Sequence, residues 1–353
     1  MNLENGEQAM NLGVSVAAWK FHFNPNKLVK MKKTLSFFAL MFALGLAHPG
    51  AVRAQGYPSK AVTVIVPHGP GGANDAVARP FAQKIGERLH QTFVVENRSG
   101  AGGNIGIGVS ARGSQDGYNL LLTVGSSYTI SPFVYKSVPF DPKKDFEPIG
   151  LVATAPYVLI VNPDLPVKTV QDLVSLAKSK PGQLHMASAG NGTLDHLLGE
   201  MFKRAAGVDM MHIPYKGASA ANTDMVSGRV SVTFTSWPSV MSFVHAGKLR
   251  LIAVASSERS SLLPDVPTIA ETVPGVAAMS WYGLFAPAGT PADVVATLRR
   301  ETSSVLADKT FQANLKAQGA EAANTTPAQF SKLIDTDLKM WSGIIEQTGA
   351  RIE

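Results

Sequence analysis

Residues 62–75 read Val62-Thr63-Val64-Ile65-Val66-Pro67-His68-Gly69-Pro70-Gly71-Gly72-Ala73-Asn74-Asp75. The β-branched run at the start is typical of a buried strand, and the segment from Asp75 to Leu89 predicts a helix. The glycines between them allow close approach of the backbone to a ligand, and free N–H groups at a helix start attract anions. Two interpretations stay open at this point: an anion-binding loop, and a tight strand–helix turn capped by Asn74 or Asp75.

The same alternation of strand and helix continues along the chain, which predicts an α/β fold with a largely parallel sheet covered by helices on both faces. Thr290 and Thr326 are expected to cap two of the C-terminal helices.

The chain is long enough for two lobes, and it is expected to cross between them at two extended segments. One is Ile149–Val161, a strand interrupted at Ala155-Pro156, and the other lies within Leu249–Phe285. Further strands are predicted at 93–96, 120–124, 184–187, 210–213, 230–234, 249–255 and 281–286, and further helices at 105–111, 170–178, 194–205, 218–226, 292–306, 311–318 and 328–347.

The N-terminal segment has the pattern of a secretory signal. Met31-Lys32-Lys33 precedes an apolar run from Leu35 to Ala47, and Val52 and Ala54 occupy the −3 and −1 places of a cleavage site. A membrane anchor or a buried helix is the alternative, but a spanning helix needs roughly 20 apolar residues. Residues 31–54 are therefore predicted to be a signal peptide, and residues 1–30 to be an extension upstream of the true start. The expected location is the periplasm.

Composition excludes several classes of function. Six of the 32 basic residues and two of the 26 acidic residues precede Gln55, so the mature chain carries a net charge of +2. This balance gives no support to a nucleic-acid partner. The chain has no cysteine, which removes disulfides, thiolate nucleophiles and cysteine-based zinc sites.

Three more loops share the small, polar character of the first. Gly100-Ala101-Gly102-Gly103-Asn104 lacks the spacing of a dinucleotide fingerprint and is interpreted as a packing turn. Gly125-Ser126-Ser127-Tyr128-Thr129 and Ser188-Ala189-Gly190-Asn191-Gly192-Thr193 each follow a predicted strand. Because ligands of open α/β sheets bind outside the carboxyl ends of strands, these loops are expected to converge on one cleft and bind a small anion.

Signs of catalysis are few. Ser126 and Ser127 do not lie in a Gly-x-Ser-x-Gly motif, so the sequence shows no nucleophile elbow. His196 and Glu200 are spaced i,i+4 as metal ligands could be, but a third ligand is not evident and an ordinary helix-face pair is the alternative. Trp237, Trp281 and Tyr282 are interpreted as packing residues, although aromatic side chains in a cleft could stack on a flat ligand. The sequence predicts neither an enzyme nor a cofactor or metal site.

Motifs along the mature chain resemble one family of receptors in order and number. The chain is similar to the Bug (Bordetella uptake gene) family, the substrate-binding receptors of tripartite tricarboxylate transporters. The motifs that carry the resemblance are Pro67–Asp75 with Arg79, Glu96–Gly103, Thr123–Ser126, His196–Glu200, Pro214–Gly217, Leu263–Thr268 and Ala286–Pro291.

The resemblance implies a two-lobed periplasmic binding protein of the Venus-flytrap, type II-like form. Lobe I is expected at 57–153 and 277–353, and lobe II at 154–276. It further implies a monomer that binds a small organic acid and meets membrane permease subunits, or alternatively a sensor protein; an envelope hydrolase is the remaining alternative. The ligand-binding residues that it implies, together with His68 from the first loop, are Gly71, Gly72, Ala73, Asp75, Ser126, Ser127, Ser188, Gly190, Gly192, Thr193 and Tyr215.

Two departures from the family pattern concern specificity. His68 stands where the family usually has Phe, and Ser231, Thr235 and Ser236 occupy a strand that often carries Asp. If these residues face the ligand, a specificity outside the aspartate and glutamate binders is expected. Asp75 is expected to order the turn or a bridging water, because a carboxylate would repel an anionic ligand directly.

Overall fold

The computed structural model describes residues 56–323, 325–349 and 351; the predicted extension at 1–30 and signal peptide at 31–54 lie outside them. The strands are β1 Val62–Val66, β2 Phe93–Asn97, β3 Asn119–Val124, β4 Phe146–Val161, β5 His185–Ser188, β6 Met211–Pro214, β7 Val232–Ser236, β8 Arg250–Val254, β9 Met279–Pro287 and β10 Glu321–Ala322. The helices are α1 Ala73–Leu89, α2 Asn104–Ala111, α3 Gly125–Thr129, α4 Ser131–Val134, α5 Val170–Ser179, α6 Leu194–Ala206, α7 Ala218–Val226, α8 Trp237–His245, α9 Ala292–Ala307, α10 Lys309–Ala317 and α11 Pro327–Thr348.

The first lobe is built on strands β2, β1, β3, β9 and the first part of β4, in that spatial order. β1 pairs in parallel with both β2 and β3, as the β-branched runs predict, and β9 runs antiparallel between β3 and β4. Side chains of β1 alternate between two apolar cores: Val62 and Val64 pack against α1, whereas Ile65 belongs to the core beneath α11. The carboxyl ends of β1 and β3 therefore lead into the candidate ligand loops at one edge of the sheet.

The second lobe repeats this plan with β6, β5, β7 and the last part of β4, while β8 pairs with the other edge of β4. β5 pairs in parallel with β6 and β7, and β7 is antiparallel to β4. The prediction of a two-lobed fold with mainly parallel sheets is confirmed, with one antiparallel strand inserted in each lobe.

β4 is the strand that links the lobes. It is continuous over its whole length: residues up to Pro156 pair with β9, and residues from Tyr157 pair with β7 and β8. The predicted interruption at Ala155-Pro156 is therefore wrong, because Pro156 lies in register with Met279 where the partner strand changes. The residue limits proposed for the two lobes stay a prediction.

Helix α11 also belongs to both lobes. Phe330 and Ile334 near its start pack in a core of the first lobe, and Trp341 and Ile345 near its end pack in a core of the second. A helix of this length spans about 33 Å, which suffices to reach both. Every helix within residues 56–323, 325–349 and 351 is too short or too polar to span a bilayer.

Two predicted helix caps, and the helices that were not predicted, can also be compared with the structure. Thr326 caps α11 through the backbone N–H of Gln329, as predicted. The predicted cap by Thr290 is wrong, because its hydroxyl donates to the carbonyl of Pro287 instead. Three α-helices of the described residues were not predicted: α3, α4 and α8, the last of which starts at Trp237-Pro238 directly after a strand.

Candidate functional site

The first-lobe loop, residues 67–75, ends at the N-terminus of α1. Gly72 is the N-cap residue with an extended backbone, and no side chain in the described residues caps this helix start. The first N–H groups of an α-helix have no partner within the helix, and the helix dipole makes them attractive to anions. This terminus is therefore open to a negatively charged group.

Asp75 holds the turn in place rather than offering its oxygens to a ligand. Its carboxylate accepts hydrogen bonds from the backbone N–H of Gly71 at 2.9 Å, from Arg79 Nε at 2.8 Å and from Asn97 Nδ2 at 3.0 Å. Burial alone would raise the pKa of this carboxyl, but the bonds from Arg79, Gly71 and Asn97 outweigh burial and hold the pKa below its ordinary value. The side chain is thus a buried anion whose charge is balanced by Arg79, in agreement with the expectation that Asp75 orders the turn.

His68 connects three loops through a chain of hydrogen bonds. Asn74 Nδ2 lies 3.1 Å from His68 Nδ1 and also 3.3 Å from the carbonyl of Leu122, so the Asn74 amide donates and Nδ1 accepts. His68 Nε2 then carries the proton and donates to Ser127 Oγ at 3.1 Å. Burial lowers the pKa of His68 to about 4, which keeps the ring neutral at pH 7.

Ser127 extends this chain of hydrogen bonds to the loop at Gly100–Asn104, here called the glycine loop. Its hydroxyl donates to the carbonyl of Gly102 at 2.7 Å, so both its donor and one acceptor position are used inside the protein. Gly103 lies against the Ser127 and His68 side chains, since a Cβ there would stand 3.1 Å from Ser127 Oγ. The loop interpreted as a packing turn therefore supports the site.

Ser126 differs from Ser127 in having no side-chain hydrogen bond among the described residues, and it is half-buried. It lies on α3, which begins at Gly125 directly after β3. A Cβ at Gly125 would overlap the indole ring of Trp281, so glycine is required there. Trp281 is buried and donates to Asp337, which makes it a packing residue beneath the loop.

The second-lobe loop, residues 188–196, leads from β5 into α6. Ser188 Oγ accepts from the N–H of Gly190 at 3.1 Å, and Thr193 Oγ1 donates to the Gly190 carbonyl at 2.7 Å. Thr193 is the N-cap residue of α6, but its side chain makes no cap bond, so this helix start is also open. Asp195 in the first turn accepts from the N–H of Ala189 at 3.3 Å.

Two stacked histidines lie under the second-lobe loop, with ring centroids 4.0 Å apart. His196 Nδ1 accepts from the N–H of Gly192 at 3.1 Å, and His212 Nε2 lies 2.7 Å from Ser188 Oγ. Glu200 forms an ion pair with Lys203 at 2.9 Å, and the described residues contain no cluster of three metal-binding side chains. The arrangement supports the helix-face interpretation of His196 and Glu200.

Tyr215 also reaches this loop through its backbone. Its N–H donates to the carbonyl of Ser188, and its carbonyl lies against Gly190. The hydroxyl donates to Asp224 Oδ2 at 2.8 Å. A direct contact of Tyr215 with a ligand therefore stays a prediction, as do the other ligand contacts.

The two lobes meet at residues that the sequence analysis missed. A Cβ at Gly192 would overlap Val134 of α4, so the second-lobe loop packs directly on the first lobe. The next residue, Tyr135, places its hydroxyl against Gly102. Neither residue belongs to a recognisable motif, and no helix was predicted over α4, which contains Val134 and directly precedes Tyr135. Trp237 and Tyr282 are buried and pack as expected.

Thr235 and Ser236, two of the neutral residues noted in the sequence, end β7. Thr235 is buried and its hydroxyl bonds Asp195. Ser236 Oγ lies 2.6 Å from Ser239 Oγ at the start of α8. The strand thus supplies neutral hydroxyl partners on the inner side of the second-lobe loop.

Comparison with known proteins identifies relatives across the described chain. Residues 77–350 match the family model described as "Tripartite tricarboxylate transporter family receptor". Protein BugT of Bordetella pertussis is 34% identical over 92% of this chain and 100% of its own length. A Pseudomonas sp. (strain P51) protein, "UPF0065 protein in tcbD-tcbE intergenic region", is 36% identical over 89% of this chain and 93% of its own length.

Solved structures agree with the fold. Rpa4515 of R. palustris with adipate superposes with a TM-score of 0.79 at 33% identity, covering 84% of this chain and 100% of the other. The periplasmic binding protein BugD gives 0.76 at 34% identity with the same coverage. MatC from Rhodopseudomonas palustris, with bound malate, gives 0.75 at 29% identity and covers 82% of this chain and 100% of its own.

Proposed function

The chain belongs to the tripartite tricarboxylate transporter receptor family, and we propose that it captures a small organic carboxylate between its lobes for uptake by a transporter of that type. The observation that carries this proposal is the open N-terminus of α1 at the end of the first-lobe loop. Export by the predicted signal peptide at 31–54 would place the receptor in the periplasm, where it would meet the permease subunits.

The charge balance of the first-lobe loop favours a carboxylate held by neutral donors. Arg79 is committed to Asp75 and Asn97, so it does not offer a free positive charge. Backbone N–H groups at the start of α1 and the free hydroxyl of Ser126 remain as donors. Such donors suit a carboxylate because a helix N-terminus stabilises negative charge without a cationic side chain.

Relatives support this ligand class. Of the similar structures, Rpa4515 is in complex with adipate and MatC with malate. Both are small aliphatic dicarboxylates, which fit helix-terminus and hydroxyl donors from two facing loops. The proposal for this chain is limited to the class of organic acids.

Capture by closure of the lobes follows from the position of the second-lobe loop. The contact of Gly192 with Val134 places the second-lobe loop against α4 of the first lobe. A ligand that contacts both loops favours the closed arrangement by its difference in affinity for the closed and open forms. β4 and β9 are the strands on which such a movement would hinge.

The hydrolase alternative is disfavoured by the direction of one hydrogen bond. Ser127 and His68 are close enough to suggest a nucleophile and its base. However, His68 accepts from Asn74 at Nδ1 and donates at Nε2, while Ser127 donates to Gly102. A general base must accept the serine proton, and this imidazole offers no free lone pair to Ser127.

Thermal unfolding of the purified mature protein against a panel of organic acids tests the proposal. An acid present at 100 times its Kd adds about 2.7 kcal/mol, which raises the midpoint by several degrees. Mass spectrometry of the denatured protein identifies any acid that was bound during purification. Absence of both a stabilising acid and a copurified acid would contradict the proposed function.

A further inference from the structure

Asp195 is a buried carboxylate whose charge has no balancing cation. It is 4% exposed, and its oxygens accept from Tyr157 OH at 3.0 Å and from the N–H of Ala189 at 3.3 Å. Among the described residues no Lys, Arg or His forms an ion pair with it. Asp75, at the corresponding place in the first lobe, has Arg79 at 2.8 Å.

Burial has the expected electrostatic consequence. Transfer of a carboxylate from water to the protein interior disfavours the charged form. Desolvation raises the pKa of Asp195 to about 6, although the hydrogen bonds from Tyr157, Ala189 and Thr235 act in the opposite direction. Asp195 therefore changes its charge near neutral pH, whereas Asp75 stays ionised.

The other titratable groups that pack around Asp195 come from β4, α6 and β6. Tyr157 from β4 has a pKa raised well above its ordinary value by burial, and Thr235 from β7 is neutral. On α6, burial lowers the pKa of His196, and His212 of β6 has a pKa lowered to about 4, mainly by burial. Lys203 is paired with Glu200. Asp195 is thus the group in this neighbourhood whose pKa burial raises into the neutral range, whereas burial favours the neutral form of both histidines.

We propose that Asp195 couples capture of an anionic ligand to uptake of one proton from solvent. The inference rests on the proposed function, because Asp195 holds Ala189 of the loop that the anion contacts. A second negative charge at this loop disfavours ionised Asp195, so binding draws a proton to Oδ1. Tyr157 then turns its hydroxyl to accept from Oδ1–H, and Oδ2 keeps the bond from Ala189.

Asp195→Asn is the variant that isolates this charge. An asparagine has the same shape, its Oδ1 can accept from the N–H of Ala189, and its Nδ2 can donate to the Tyr157 oxygen. The variant keeps both contacts but replaces the ionisable carboxyl with an amide that has no charge at any pH tested. Glu301→Gln is the matched control, because Glu301 is a buried carboxylate that is paired with Arg88 and Arg300 and lies on α9, outside both ligand loops.

Isothermal titration with malate and with adipate measures the coupling. In two buffers of different ionisation enthalpy at about pH 6.5, the wild type is expected to take up a fraction of a proton per acid bound. Its Kd is expected to decrease as the pH is lowered from about 8 to about 6. The decrease is at most about tenfold for each unit by which the bound anion raises the pKa of Asp195. Asp195→Asn is expected to take up none and to bind more tightly than the wild type at pH 8; equal uptake by both proteins would overturn the proposal.

A ligand-free measurement separates this inference from the proposed function. Because the pKa of Asp195 is raised in the folded state, its stabilising effect is present below the unfolded value and is lost as pH rises through about 6. Asp195→Asn is therefore expected to unfold at a higher temperature than the wild type above pH 6 and to lose that advantage progressively as the pH falls from about 6 towards 3.8. A constant difference across this range would overturn the inference, whereas failure of every acid to bind would contradict the proposed function instead.

Discussion

The two ligand loops have the same plan but opposite electrostatics. In each lobe a parallel strand ends in a turn of small residues and a helix begins without a side-chain cap. An aspartate in the first turn of each helix accepts a backbone N–H of its own loop: Asp75 from Gly71, and Asp195 from Ala189. Arg79 balances the first aspartate, whereas within the described part of the chain no cation forms an ion pair with the second.

This difference separates two tasks within one binding site. His68 and Ser127 link the first-lobe loop to the glycine loop of the same lobe. The first-lobe loop is therefore held by hydrogen bonds, and its Asp75 carboxylate stays ionised beside Arg79. The second-lobe loop contacts Val134 of the opposite lobe and depends on a carboxyl that titrates near neutral pH. We therefore expect the first loop to determine whether an anion binds, and the second to determine how binding depends on closure and pH.

Removing Asp75 is expected to have the largest effect. Asp75→Ala leaves the Gly71 N–H without its acceptor and removes one of the two bonds that the Asn97 amide donates, and we expect a loss of about 2–3 kcal/mol in the free energy of unfolding. Denaturant titration measures it. Asp335→Ala is the control and should cost under about 1 kcal/mol, because the side chains of the Lys143–Asp335 ion pair are 62% and 63% exposed. A cost for Asp75→Ala as small as that of the control would show that the turn does not need this carboxylate.

Blocking the start of α1 tests whether the first-lobe loop binds the anion. Gly72→Leu is expected to weaken binding of the stabilising acid at least about 100-fold, or roughly 2.7 kcal/mol. The fold should persist, because Gly72 has a φ of −78° and a Cβ there meets only the Gly69 carbonyl at 3.5 Å. Gly69→Ala, with open space around it, is the control. Titration calorimetry on the folded variants decides, and unchanged affinity would remove this loop from the site.

Enlarging Gly192 tests the contact between the lobes. Gly192→Ala places a methyl group against Val134 at a φ of +72°, so we expect about tenfold weaker binding together with some loss of stability. Val134→Ala in the same chain should restore part of the affinity by making room. A double-mutant cycle on Kd measures this coupling. Strictly additive effects would mean that the bound form does not use this contact.

Exchanging His68 is expected to have the smallest effect. His68→Phe removes two hydrogen bonds but leaves Asn74 bonded to Leu122 and Ser127 bonded to Gly102, so we expect a loss of about 1 kcal/mol at pH 7. The buried ring has a pKa lowered from 6.5 to about 4, so its unprotonated form stabilises the fold above pH 6.5, and this stability is lost as pH falls towards 4.

The wild type and His68→Phe should therefore converge in melting temperature as the pH is lowered over that range. His68→Gln, which can still donate to Ser127, is the conservative control. The ligand profile of His68→Phe against the acid panel completes the test: an unchanged profile would show that His68 positions the loops without selecting the acid.

Local sequence was sufficient for most elements of the fold. Period and composition placed β1, α1 and α7 within two residues of their ends, and the Thr326 cap followed from its spacing to Gln329. Prediction from local sequence failed where residues that are distant in the chain determine the conformation. β4 stays continuous at Pro156 because β9 and β7 pair with it on either side, and α8 forms where Trp237 packs into a core of the second lobe.

The sequence by itself determined the class of fold, the family and the positions of the loops between strand and helix, because β-branched runs, glycine turns and helix periodicity act over a few residues. Only the tertiary structure decided what the polar side chains in those loops do. Asp75 is bonded to Asn97, His68 to Ser127 and Asp195 to Tyr157, pairs that lie 22, 59 and 38 residues apart. Charge and protonation depend on burial and on such distant partners, and no local pattern specifies either.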